Sequence, residues 1–252
     1  MTFSGQGKSI FSFDQARSFW ESSQYAKVAL HRLVRKGMLI PLERGKYLIV
    51  PLEAGPERKW TEDSFLIAGA LVEPAVIAYW TAVRHWNWTE QIPRIVYVQT
   101  TTRKGRPHRT LLGVPYEFVT IPVGKFYGHA REWRNGSLVL VTDKERTLLD
   151  CADDVRRAGS IEELVKAVRA GVREISWKRL DDYAGRFPNG AALKRLGFLL
   201  ENLDLALTPE AVSVLRSWRE RMSSGIVDLQ PSGMRNGRIV SRWRVRINVD
   251  FA

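Results

Sequence analysis

Cysteine is almost missing from this chain: Cys151 is the only one in 252 residues. No intramolecular disulfide can form, and the four scattered histidines make no cluster at zinc-ligand spacing. A reducing, cytoplasmic setting is therefore expected, with no metal and no cofactor. Long apolar runs are missing as well. The most apolar stretch, "FLIAGALVEPAVIAYW", is broken by Glu73 and Pro74, and the opening "MTFSGQGKSIFSF" lacks the apolar core of a signal peptide, so neither secretion nor membrane insertion is expected. Acidic residues are the third shortage. Against 39 Lys and Arg stand 27 Asp and Glu, a formal net charge of +12, which favours a polyanionic partner without saying whether it is DNA, RNA or an anionic membrane.

Catalytic signatures are missing too. "GQGKS" resembles the end of a phosphate-binding loop but lacks the glycine five positions before Gly7, and no Gly-x-Ser-x-Gly elbow or zinc-protease motif occurs. The acid pairs Asp153-Asp154 and Asp181-Asp182 lie in or beside expected helices, where adjacent side chains point apart. Cys151 follows Leu148, Leu149 and Asp150 and reads as a small core residue. No catalytic residue is expected.

A hydrophobic content of 44% is enough for a packed core. In the first fifty residues Asp14 is expected to cap a short helix, "QARSFW", with Phe13, Ala16 and Phe19 along one face. A second helix, "QYAKVALHRLVRKG", is capped by Ser22 or Ser23 and stops at Gly37. Its inner stripe is Ala26, Ala29, Leu30, Leu33 and Val34. Gln24, Lys27, Val28, His31, Arg32 and Arg35 fall on the other side, and Tyr25 either joins them or packs under the adjoining hairpin. That hairpin is "MLIPLERGKYLIVP", turning at Gly45, with Arg44 and Lys46 at its tip. Helix, turn, basic helix and hairpin are the order of a winged helix-turn-helix. The expected DNA-contacting set is Ser23, Gln24, Tyr25, Lys27, Val28, His31, Arg32, Arg35, Arg44 and Lys46.

"PLEAGPERKWT" (51–61) has linker composition and separates an expected DNA-binding domain, 1–55, from a second domain, 60–252. There, "EDSFLIAGALV" and "VIAYWTAVRHW" read as helices, and "RIVYVQTTT", "YEFVTIP" and "SLVLVT" as strands of a small sheet. Thr142 with Glu145, and Ser160 with Glu163, read as capping boxes. Asn189 is expected to cap "GAALKRLGFLLENL", and Thr208-Pro209-Glu210 opens another helix. "GRIVSRWRVRINVD" reads as a strand with a basic face, and the basic segment 101–110 as a loop carrying Arg103, Lys104, Arg106 and Arg109. The expected fold class is α+β, an N-terminal winged helix-turn-helix followed by a mixed α/β domain.

The segment "ALHRLVRKGMLIPLERGKYLI" resembles the helix-and-wing signature of AbiEi-type antitoxins of type IV toxin–antitoxin systems. The likeness continues in "VIAYWTAVRHW", "VTDKERTLLDCAD" and "GAALKRLGFLLE", in the same order. The resemblance implies an autorepressor that binds double-stranded DNA at the operator of its own operon. It also implies an antitoxin that counteracts a nucleotidyltransferase-like toxin without a stable complex. Two other readings remain open on sequence grounds: a winged-helix transcriptional regulator with a ligand-sensing C-terminal domain and no toxin, and a nuclease that uses the winged helix for targeting.

Overall fold

The computed structural model describes residues 9–55, 60 and 62–251. Residues 56–59 and 61 of the expected linker, and residues 5–8 of the phosphate-loop-like segment, lie outside the described residues.

The chain begins with a short strand, β1 (Ile10–Ser12), that runs straight into a five-residue helix, α1 (Phe13–Arg17). The cap is Ser12, not Asp14. Ser12 Oγ accepts from the Gln15 amide at 3.2 Å while Gln15 Oε1 accepts from the Ser12 amide at 2.8 Å, a reciprocal box that satisfies two donors at once. Asp14 sits in the first turn instead, where its charge suits the helix dipole. The helix ends before Phe19, which is 51% exposed and leaves the expected apolar face. Helix α2 (Ser23–Arg35) comes next, then the hairpin of β2 (Leu39–Glu43) and β3 (Lys46–Ile49). These strands form an antiparallel sheet in the order β1-β3-β2, with Phe11 opposite Tyr47 and Leu39 opposite Ile49. Gly45 makes the tight turn at φ +77°, a conformation that strains any residue with a Cβ. Phe11, Ala16, Leu30 and Leu39 form the core beneath, with Phe13, Leu33 and Tyr47 packed on it.

Helix α3 (Ser64–Leu71) is capped by Asp63. The segment expected as one helix from Val76 is divided: β4 (Val76–Ile77) pairs in parallel through Ile77 with Val141, and only then does α4 (Tyr79–His85) begin. Strands β5 (Val96–Thr100), β6 (His108–Leu111), β7 (Val114–Thr120), β8 (His129–Arg134) and β9 (Ser137–Thr142) succeed it. The second sheet runs β6-β7-β5-β4-β9-β8. The expected loop 101–110 thus ends as a strand, with Arg109 opposite Tyr116.

Five helices come next: α5 (Lys144–Asp153), α6 (Ile161–Gly171), α7 (Trp177–Arg186), α8 (Gly190–Asn202) and α9 (Pro209–Glu220). Ser160, Asn189 and Thr208 cap α6, α8 and α9 as expected. The cap of α5 is Asp143 rather than Thr142, because Thr142 is the last residue of β9 and its hydroxyl is taken by Thr147 at 2.7 Å. The C-terminal segment is not one strand. It forms a hairpin of β11 (Arg238–Val240) and β12 (Val245–Ile247), and β12 also pairs in parallel with β10 (Val227–Asp228).

The fold is α+β. By internal contacts the chain divides into two compact units, one of Met1–Val76, Val98–Thr120 and Arg131–Leu140, the other of Ile77–Tyr97, Ile121–Ala130 and Val141–Ala252. The sequence placed a boundary between 55 and 60; the first unit runs on to Val76 and takes in two later segments. The second unit is built around a large apolar core in which Leu148, Leu164, Leu196, Leu199, Trp218 and Trp243 are fully covered. Among the described residues no helix is long and apolar enough to cross a membrane.

Candidate nucleic-acid interface

Ser22 starts α2, its Oγ accepting from the Tyr25 amide at 3.2 Å. This leaves Ser23 as a half-buried first-turn residue. From there the 3.6-residue repeat sorts the side chains. Ala26 and Leu30 are buried and Ala29, Leu33 and Val34 half-buried. Gln24, Tyr25, Lys27, Val28, His31, Arg32 and Arg35 are all exposed. Tyr25 is 65% exposed, so it stands with the polar face and is not packed under the hairpin. The small inner Ala26, with no exposed surface, lets the helix seat closely on the elements beneath it. The last turn carries Arg32 and Arg35, which suit the negative end of the helix dipole.

At the hairpin tip Arg44 is exposed, whereas Lys46 is turned back on Glu43 in an ion pair of 2.9 Å. Glu43 is the hub of this corner. Besides Lys46 it accepts from Lys104 Nζ at 3.2 Å and faces Arg109 Nη1 at 3.4 Å, with its own side chain only 18% exposed. Burial opposes ionisation of Glu43, but the hydrogen bonds and charges of Lys46 and Lys104 outweigh it and hold the carboxyl below the usual carboxylate range. The structure therefore brings the basic segment 101–110 beside the hairpin, a connection that sequence reasoning missed.

The fold has a solved counterpart. The chain is similar to the RV2827C protein from Mycobacterium tuberculosis, with a TM-score of 0.64 over 96% of this chain and 88% of that one, at 14% identity. At that identity the likeness concerns the fold alone. No family model matches the chain, and no curated protein matches it.

The other sequence candidates are structural. The C-terminal arginines do not make a free basic face: Arg242 lies 2.9 Å from Glu201, Arg246 lies 2.8 Å from Asp228, and Arg244 donates to the Met222 carbonyl at 3.2 Å. Asp153 pairs with Lys125, Asp154 with Arg157, Asp181 with Arg221 and Asp182 with Lys178. Among the described residues no group of three or more His, Cys, Asp or Glu side chains is placed to hold a metal. Cys151 is fully covered, and burial pushes its thiol well above the ordinary range, so thiolate chemistry is suppressed there.

The "DKERTLLD" block is also architectural. Asp143 caps α5 and accepts from the Tyr183 hydroxyl at 2.7 Å. One turn later the fully buried Arg146 donates from Nε to Asp150 at 2.9 Å and lies over the rings of Tyr127 and Phe187. In the first unit a cleft of about 530 Å³ is lined by Phe11, Gln15, Lys46, Leu66, Glu73 and Leu138, among others.

Proposed function

We propose that residues 10–50 are a winged helix-turn-helix and that the protein is a sequence-specific DNA-binding autorepressor, the antitoxin of a type IV toxin–antitoxin system. One observation carries the DNA part: the solvent face of α2 holds Lys27, His31, Arg32 and Arg35 with no acidic side chain among them, and Arg44 stands exposed on the adjoining hairpin tip. A strand, two helices and a hairpin closing a three-stranded sheet support the winged reading. The second helix then enters the major groove and the hairpin tracks the backbone. Lys27, Arg32, Arg35 and Arg44 hold phosphates, which position without specifying. Gln24 and His31 read base edges, with Ser23, Tyr25 and Val28 flanking them. A Gln–adenine bidentate pair gives roughly 1–3 kcal/mol of discrimination. Lys46 acts through Glu43, shaping the tip.

The antitoxin part rests on the resemblance of the three later blocks. It has the protein oppose a nucleotidyltransferase-like toxin in the cytoplasm without a lasting complex and without a catalytic step of its own. The decisive experiment is a gel shift with DNA from upstream of its own gene. Gln24→Ala or His31→Ala changes operator preference, whereas Arg44→Ala weakens every duplex and lowers the salt slope by about one unit. Wild-type protein that shifts no duplex refutes the DNA reading. The full-length variant lacking Lys27, Arg32 and Arg35 still rescues cells from the toxin; loss of rescue in a folded variant refutes the separation of the two activities.

A further inference from the structure

The segment from the end of β5 into β6 is fixed at three points while two of its arginines face water. Thr102 Oγ1 donates to the Glu73 carbonyl at 2.7 Å. Lys104 is held by Glu43 and by the Leu71 carbonyl and lies 5.4 Å from the centre of the Phe118 ring. Arg109 reaches Glu43 and, at 3.3 Å, the Leu42 carbonyl. The two arginines between these anchors, Arg103 and Arg106, are exposed and make no ion pair with another described residue. Pro107 restricts the backbone before it, and its carbonyl accepts from the Phe118 amide at 2.8 Å.

A loop kept basic only for solubility needs no such anchoring. Here two cations, Lys104 and Arg109, are committed to a carboxylate on the hairpin strand itself, one residue from Arg44. Glu43 gathers Lys46, Lys104 and Arg109, with Arg44 the next residue along the hairpin and Arg103 and Arg106 exposed on the anchored loop. Holding the loop in place removes ordering entropy that a charged ligand would otherwise have to overcome. Side chains of this kind on a fixed frame match the regular phosphates of a duplex better than a compact anion.

Resting on the DNA-binding reading above, we infer that the 102–109 loop is a second arm of the interface, gripping the phosphate backbone of double-stranded DNA beside the hairpin through Arg103 and Arg106. The arm carries affinity and leaves sequence choice to α2. It lengthens the contacted duplex on the hairpin side only.

The test compares wild type, Arg103→Ala/Arg106→Ala, Arg103→Lys/Arg106→Lys and Lys27→Ala/Arg32→Ala, all full length, on the upstream duplex and on a random-sequence duplex. For the alanine pair the plot of log affinity against log salt is shallower by about two units, so its deficit relative to wild type shrinks roughly twelvefold between 50 and 200 mM salt. Sequence preference is unchanged, the lysine pair restores most of the affinity, and hydroxyl-radical protection recedes on one flank. If the α2 variant loses binding while the alanine pair keeps wild-type affinity and slope, the arm is overturned and the DNA-binding reading stands. If wild type shifts neither duplex, both fall. Tighter binding of the arm to duplex RNA than to DNA of the same sequence overturns the inference as well.

Discussion

Replacing Glu43 with glutamine removes the one negative charge among three cations and keeps the side chain's size. The contacts at risk are Lys46 at 2.9 Å, Lys104 at 3.2 Å and Arg109 at 3.4 Å, whose side chains are 33%, 17% and 26% exposed. Exposed pairs contribute about 0–1 kcal/mol each, and breaking a fully buried one costs about 3–5 kcal/mol. These half-buried pairs lie between, and because they share an acceptor they do not add in full. A loss of about 2–3 kcal/mol at neutral pH is expected. The sign of the pH dependence comes from the lowered carboxyl of Glu43. Its folded pKa is below the unfolded 4.5, so its stabilisation is fully present above that value and is lost as pH falls through the folded one. Urea denaturation of both proteins at neutral pH and at stepwise lower pH reads this directly: the two curves begin to approach each other once the medium is more acidic than the unfolded pKa and meet below the folded one. A penalty that stays constant down to about pH 3, or is absent at neutral pH, refutes the hub.

Three further outcomes are expected from the second unit. Asp150→Asn strands the fully buried Arg146 guanidinium and destabilises by about 3–5 kcal/mol, whereas Arg146→Met with Asp150→Leu costs far less than the two single changes together; thermal melts of the four variants check this, and simple additivity sinks it. His129 is held neutral, its imidazole pushed down to about 4 by burial and the Arg146 charge, with Nε2 buried without a partner. Its stabilisation is therefore full above the ordinary histidine value of 6.5 and declines toward pH 4, by about 1–2 kcal/mol once solvent screening of this half-buried group is allowed for. Chemical denaturation shows that decline in wild type and not in His129→Gln. Gly197→Ala drives a methyl group into the fully buried Trp243 and lowers stability by about 1–3 kcal/mol, with a shift of Trp fluorescence; an unchanged melting curve would mean the packing is looser than described.

How much of this can be read from the sequence varies by element. Helix α2 is legible because its stop signal, its two candidate caps and its apolar period agree. The caps of α1 and α5 are each misplaced on sequence grounds because two capping residues stand close together. What separates them is whether the residue already belongs to a strand, as Thr142 does, or can form a reciprocal box, as Ser12 does with Gln15. Strand β1 has three residues and no alternation, and its existence depends on Tyr47 and its neighbours in β3. Helix α7 is hidden among charges although Trp177, Leu180 and Ala184 are buried at helical spacing. The C-terminal hairpin lacks a turn signal, since Arg244 and not glycine takes the positive φ. The hub at Glu43 has one local partner, Lys46, but Lys104 and Arg109 come 61 and 66 residues later, beyond any local pattern.

That separation has a consequence during synthesis. At roughly 5–20 residues per second on a ribosome, the hairpin emerges several seconds before the lysine and arginine that pin its carboxylate. Throughout that interval Glu43 has neither Lys104 nor Arg109 beside it, and the corner lacks both anchors. A nascent or prematurely terminated chain ending before residue 104 displays helix α2 without its finished flank. On the proposed DNA-binding reading, full-strength duplex binding then belongs to chains elongated well past their first fifty residues.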